Sequence, residues 1–138
     1  MSGVATVIVA AGQGSRAGDG PPKAYRPIGG VPVLRRTLEA FAARDEISHN
    51  VVVIAPEHRA YFQAAVAGLE PAPLAVDGGS TRTQSVRRGL EALERYAPDF
   101  VLIHDAARPF VSGALIDRVE AALVIGQPVI GAPAQPLQ

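Results

Sequence analysis

The residues with the clearest chemical content lie just after the first apolar run of the chain. Gly12-Gln13-Gly14-Ser15-Arg16-Ala17 follows Ala5–Ala10, and Lys23 stands seven positions beyond Arg16. Glycines let backbone N–H groups approach phosphate oxygens with no β-carbon in the way. Arg16 adds a planar donor fork and Lys23 a compact charge. Such a loop suits a polyphosphate. The same glycines also match the dinucleotide pattern G-x-G-x-x-[GA], which needs a helix to open at once on a pyrophosphate. Gly18-Asp19-Gly20-Pro21-Pro22 opposes a continuing helix, because proline lacks the N–H and restricts its predecessor. The second apolar run ends Ile54-Ala55-Pro56, with no carboxylate for a ribose. A loop wrapping a triphosphate is the reading favoured over a nicotinamide site. The plain alternative is a solvated turn with two surface cations.

Two further segments carry polar groups at strand ends. Asp77-Gly78-Gly79 precedes Arg82 and Ser85, and His104-Asp105-Ala106-Ala107-Arg108-Pro109 follows another apolar run. Asp105 offers an oxygen ligand for a hard cation, or pairs with Arg108 and closes the turn before Pro109. Gly78-Gly79 is open to reading as a strand-to-helix turn only. Ser85 lies about one turn into a helix, where it either meets a ligand or bonds its own backbone. Arg82 is a phosphate contact or a surface charge, and His104 reads as structural or solvated.

These segments need elements to position them. Ala5–Ala10, Val51–Ala55, Leu74–Val76 and Phe100–Ile103 read as buried strands. Between them lie amphipathic helices. One runs over 33–43 with Leu34, Leu38 and Phe41 on one face; one runs over about 57–67. The next is capped by Ser80 and carries a Val86, Leu90 and Leu93 stripe. Ser112 is a further cap for a helix with Leu115, Val119 and Leu123, and Val129 and Ile130 belong to a last apolar segment. The expected fold is α/β, a Rossmann-like three-layer sandwich with a mostly parallel sheet. Ligands of such sheets bind beyond the carboxyl ends of the strands. Residues 11–23, 77–85 and 104–109 all fall there.

Composition narrows the partners. Among 138 residues, thirteen basic side chains balance thirteen acidic ones, so no global field favours nucleic acid or an anionic membrane. The absence of cysteine excludes disulfides and thiolate chemistry. No apolar run reaches the about 18 residues of a membrane helix. Met1-Ser2-Gly3 lacks the basic start of a secretory signal, which leaves a cytoplasmic location as the expectation.

Ala10-Ala11-Gly12-Gln13-Gly14-Ser15-Arg16 with Pro22-Lys23 resembles the A-A-G-x-G-x-R…P-K signature of sugar nucleotidyltransferases. Asp77-Gly78-Gly79-x-x-Arg82-x-x-Ser85 and His104–Pro109 narrow the resemblance to the methylerythritol-phosphate cytidylyltransferases and their close relatives. The run Pro22–Pro27 is similar to forms fused to a cyclodiphosphate synthase domain. The resemblance implies CTP as substrate, with Gly12, Gly14 and Ser15 cradling its phosphates and Ala10 and Ala11 also in the nucleotide site. It implies that Arg16 and Lys23 are catalytic, stabilising charge at the α-phosphorus. It places Gly78, Gly79, Arg82 and Ser85 at the nucleotide, with Ala106 against it, and Mg²⁺ or another divalent cation on Asp105. The acceptor would be 2-C-methyl-D-erythritol 4-phosphate. A related acceptor such as ribitol 5-phosphate and a non-catalytic CTP-binding module are the alternatives. The strand order would begin 3-2-1-4.

The resemblance covers nearly the whole chain, but the family's members are longer. Gln135–Gln138 stands where the family has an Asp-Thr-containing turn. The expectation is one nucleotidyltransferase domain over 1–138, incomplete at its C-terminal end. It would lack much of the acceptor site and the arm through which the family dimerises.

Overall fold

The computed structural model describes residues 3–11 and 20–106. In chain order the elements are β1 (Val4–Ala10), β2 (Pro27–Ile28), β3 (Val31–Pro32), α1 (Val33–Ala42), β4 (Ile47–Ile54), α2 (Arg59–Val66), β5 (Leu74–Asp77), α3 (Arg82–Leu93) and β6 (Phe100–Asp105). Short 3₁₀ turns occupy Lys23–Tyr25, Pro56–His58 and Glu94–Tyr96.

The central sheet is parallel and runs β5-β4-β1-β6. Numbered by sheet strand alone, this is the expected 3-2-1-4. β1 lies in the middle, and all seven of its residues are buried. That burial explains why every residue but Thr6, whose hydroxyl pairs with Asn50, is apolar: both faces are covered, so no position alternates to solvent. Ile8 and Ala10 point to one face and join Leu34, Leu38, Phe41, Phe62, Val52, Ile54 and Leu102 beneath α1 and α2. Val7 and Val9 point to the other and join Val51, Val53, Val86, Leu93 and Ile103 beneath α3. Each fully buried aliphatic chain of this kind contributes about 1.5–3 kcal/mol. Two helical layers thus sandwich the sheet, as the alternating pattern predicts.

Several expectations are corrected in detail. β4 begins four residues before Val51, where Ser48 and Asn50 interrupt the apolar pattern. Both bond to β1: Ser48 Oγ donates to the Val4 carbonyl, and the Thr6 hydroxyl pairs with the Asn50 side chain. β6 extends through His104 and Asp105, because its ladder with β1 continues to the Val9–Asp105 pair. The helix expected over 57–67 starts at Arg59, after a 3₁₀ turn. Thr81, not Ser80, caps α3. Its hydroxyl accepts from the Gln84 N–H at 3.1 Å, while the Ser80 hydroxyl donates to Gln84 Oε1 at 2.9 Å. Leu90 is exposed, and Gly89 takes the buried place in the α3 stripe. A β-carbon on Gly89 would lie 2.6 Å from Val7 Cγ1, so glycine here lets α3 settle onto β1. The expected helix after Ser112 and the apolar segment at Val129 and Ile130 lie outside the described residues.

Candidate nucleotide site

Sheet register brings the polar segments to one level. Ala10 pairs with Ile54, Ile54 with Asp77, and Val9 with Asp105. The ladders close with two more bonds. Gly78 N–H donates to the Ile54 carbonyl at 2.8 Å, and Ala106 N–H donates to the Val9 carbonyl at 2.9 Å. Asp77-Gly78, the end of β1 and Asp105-Ala106 therefore line the carboxyl edge of the sheet. Three interstrand spacings, about 14 Å, separate the outer two.

The first two of these segments touch. A β-carbon on Gly78 would lie 2.6 Å from Ala11 Cβ, 2.7 Å from Ser85 Oγ and 3.2 Å from Val53 Cγ1. Only glycine lets the turn after β5 pass this close to the residue that opens the glycine loop. Ser85, 2% exposed, is the fourth residue of α3. Its hydroxyl accepts from the Gly79 N–H at 3.1 Å. Ser85 thus bonds the turn, rather than its own helix as the plain reading had it. The turn is held further by Gln84, whose Oε1 accepts from the Ser80 N–H at 2.8 Å. Arg59 reaches across from α2 to Asp77 Oδ1 at 2.8 Å. Arg82, the first residue of α3, is exposed.

Lys23 enters from the other face of the sheet. Its 3₁₀ turn leaves Lys23 exposed and buries Ala24 and Tyr25 in the cluster that contains Ala10, Ile54 and Ala106. Tyr25 stacks on Tyr61, with centroids 5.6 Å apart, and meets the edge of His58 at 6.1 Å. Burial pushes the Tyr25 phenol up to about 12. Arg26 Nε donates to the Pro21 carbonyl at 2.9 Å, fastening the segment before Lys23.

Asp105 is exposed at the end of β6. His104 beside it is wholly buried and packs edge-on against Phe41, 5.7 Å between centroids, which is a structural role. Among the described residues no group of three or more His, Cys, Asp or Glu gathers to hold a metal. A single carboxylate suits Mg²⁺, which keeps waters and takes phosphate oxygens as further ligands. Gly12, Gly14, Ser15 and Arg16 lie outside the described residues, as does Arg108.

Of the expected positions, Ala10, Ala11, Gly78, Gly79, Ser85, Asp105 and Ala106 are brought to one edge, with the Lys23 turn packed beside it. The ring cluster of Tyr25, His58 and Tyr61 and the Arg59–Asp77 pair were not foreseen from the sequence. Thr81-x-x-Gln84 was a readable signal for the cap.

An open parallel sheet with small residues, backbone amides, a lysine and a carboxylate along its strand ends is the layout of a nucleotide-binding α/β domain. Comparison with known proteins narrows the class. The family model described as 2-C-methyl-D-erythritol 4-phosphate cytidylyltransferase matches residues 4–137, and the chain belongs to that family. The bifunctional enzyme IspD/IspF of Rhodospirillum rubrum is 54% identical over 123 residues, 89% of this chain and 32% of the relative. That of Bradyrhizobium diazoefficiens is 54% identical over 119 residues, 86% of this chain and 30% of the relative. The chain therefore spans about a third of the length of these curated relatives. Among solved structures, the 4-diphosphocytidyl-2C-methyl-D-erythritol synthase of Anaerococcus prevotii superposes with a TM-score of 0.76 at 28% identity, over 89% of this chain and 52% of that one.

Proposed function

We propose that this chain forms the CTP-binding part of a cytidylyltransferase that transfers CMP to 2-C-methyl-D-erythritol 4-phosphate. The observation that carries the proposal is the meeting of Ala11, Gly78 and Ser85 at the carboxyl edge of the sheet. The contact joins the start of a glycine loop to a turn walled by a helix, in a chain of this family. In the proposed arrangement Gly12, Gly14 and Ser15 cradle the phosphates, and Ala10 and Ala11 line the nucleotide site beside them. Gly78, Gly79, Arg82 and Ser85 hold the nucleoside end, and Ala106 lies against it. The Ser85 hydroxyl already accepts from Gly79, so its proton is directed to another acceptor.

In the reaction, an oxygen of the acceptor phosphate forms a bond to the α-phosphorus of CTP. The bond from that phosphorus to the bridging oxygen breaks, and pyrophosphate leaves with the electron pair. A phosphate monoester is already an anionic nucleophile at neutral pH, so no strong general base is required. The difficulty is electrostatic, because several anions must come together. Arg16 and Lys23 are placed by this reading to neutralise them, each worth about 10²–10³-fold in rate. Asp105 would hold a divalent cation, which when bound neutralises phosphate charge.

Calorimetric titration with CTP, ATP, GTP and NAD, each with Mg²⁺, tests the donor site. Selective binding of CTP, weakened in Asp105→Ala, is expected. A folded protein that binds NAD and not CTP would sink the reading.

A further inference from the structure

Lys23 is exposed, and a lysine on a surface turn is a poor electrostatic device unless the turn fixes where its charge falls. This turn is unusually well fixed. Tyr25 N–H donates to the Pro22 carbonyl at 2.9 Å and Arg26 N–H to the Lys23 carbonyl at 3.3 Å. The ring two residues after Lys23 is buried, 4% exposed, in the cluster beneath α1 and α2. It stacks on Tyr61 of α2 and meets His58 of the 3₁₀ turn that follows β4, while His58 and Tyr61 stand edge-on at 6.1 Å. One ring thereby ties the lysine turn to the segment leaving the carboxyl end of β4. The Tyr25 hydroxyl has no hydrogen-bond partner among the described residues. The ring, not the hydroxyl, makes the attachment.

We infer that Tyr25 is the positioning residue for Lys23: its ring, clamped by Tyr61 and His58, sets the place at which the lysine meets the nucleotide phosphates. This rests on the reading of Lys23 as a phosphate contact. Offset-stacked and edge-on aromatic pairs have defined geometry. An aliphatic replacement would fill part of the volume and lose that geometry. Displacement of a charged group by about 1 Å is enough to matter at a phosphate site.

The test is a double-mutant cycle on the complete protein, read as the Kd for CTP with Mg²⁺ by calorimetry. Lys23→Ala is expected to weaken binding about tenfold, the scale of one charge-assisted contact. Tyr25→Leu and Tyr61→Leu are expected to weaken it by several-fold up to that amount. In the Lys23→Ala background both substitutions should add nothing, because a device acting through the lysine has no effect once the lysine is gone. Tyr25→Phe should keep the affinity of the parent. Additive losses in the double variants, or a loss in Tyr25→Phe, would overturn the inference while leaving the lysine contact standing. An unchanged Kd in Lys23→Ala would remove the lysine contact itself, and the positioning role with it. Should Tyr25→Leu fail to fold, Tyr61→Leu decides, since Tyr61 is 44% exposed and less embedded in the core.

Discussion

The two sides of the site are held by opposite means. On the α3 side, glycine backbone lies directly against side chains: Gly78 passes Ala11 and Ser85 with no room for a β-carbon, and Gly89 does the same against Val7. On the α1 and α2 side, the lysine turn is held by large side chains. Tyr25, Tyr61 and His58 stack, and Arg26 and Arg36 donate to the carbonyls of Pro21 and Ile28. Such contacts leave no space for an added methyl, because interiors are as dense as organic crystals. The aromatic clamp holds instead through ring geometry, which an aliphatic side chain does not reproduce. The α3 side is therefore fixed by the absence of side-chain volume, and the lysine side by the geometry of packed rings.

Gly78→Ala should break this contrast most visibly. The new methyl must displace the turn or Ala11, and a shift of about 1 Å there predicts a loss of about 10²-fold in CTP affinity, measured by calorimetry. Gly89→Ala sharpens the same point away from the ligand. It should destabilise by about 1–3 kcal/mol in denaturant unfolding, less up to about 1 kcal/mol regained from helix propensity, with CTP affinity of the folded protein unchanged.

The lysine side has a pH signature. The buried Tyr25 phenol is pushed from 10.0 up to about 12. Between those values the unfolded chain loses its proton while the folded chain keeps it. Stability from this group is thus complete below pH 10 and declines as pH rises through 12. Phenolate absorbance near 295 nm should contain a late step that Tyr25→Phe removes, and thermal scans of that variant should lose part of the alkaline decline. Thr81→Ala removes the α3 cap and should cost about 1 kcal/mol. The smallest effect is expected for Arg59→Ala. Its partner Asp77 is 47% exposed, and such surface pairs contribute under about 1 kcal/mol.

The fold was largely legible. The apolar runs Val7–Ala10 and Val51–Ile54 mark a doubly covered sheet, and the 3.6-residue spacing of Leu34, Leu38 and Phe41 marks α1. Strand ends were less legible. The β4 pattern breaks at Ser48 and Asn50 because hydrogen bonds to β1 replace apolar contacts there. The Leu90 expectation failed because Gly89, with no side chain to signal burial, takes the inward place. For the site, the motifs gave Lys23, Gly78, Ser85 and Asp105 as candidates. They could not give Tyr25, His58 and Tyr61, which lie 33 and 36 residues apart in the chain and meet only through the packing of α2.

An amide-resolved NMR titration of the complete protein with CTP and Mg²⁺ locates the nucleotide on the sheet. Shifts are expected to concentrate at Ala10–Ala11, Lys23, Gly78–Ser85 and Asp105–Ala106. Shifts concentrated instead at the opposite end of the sheet, around the stacked His49 and Tyr96, would contradict that placement.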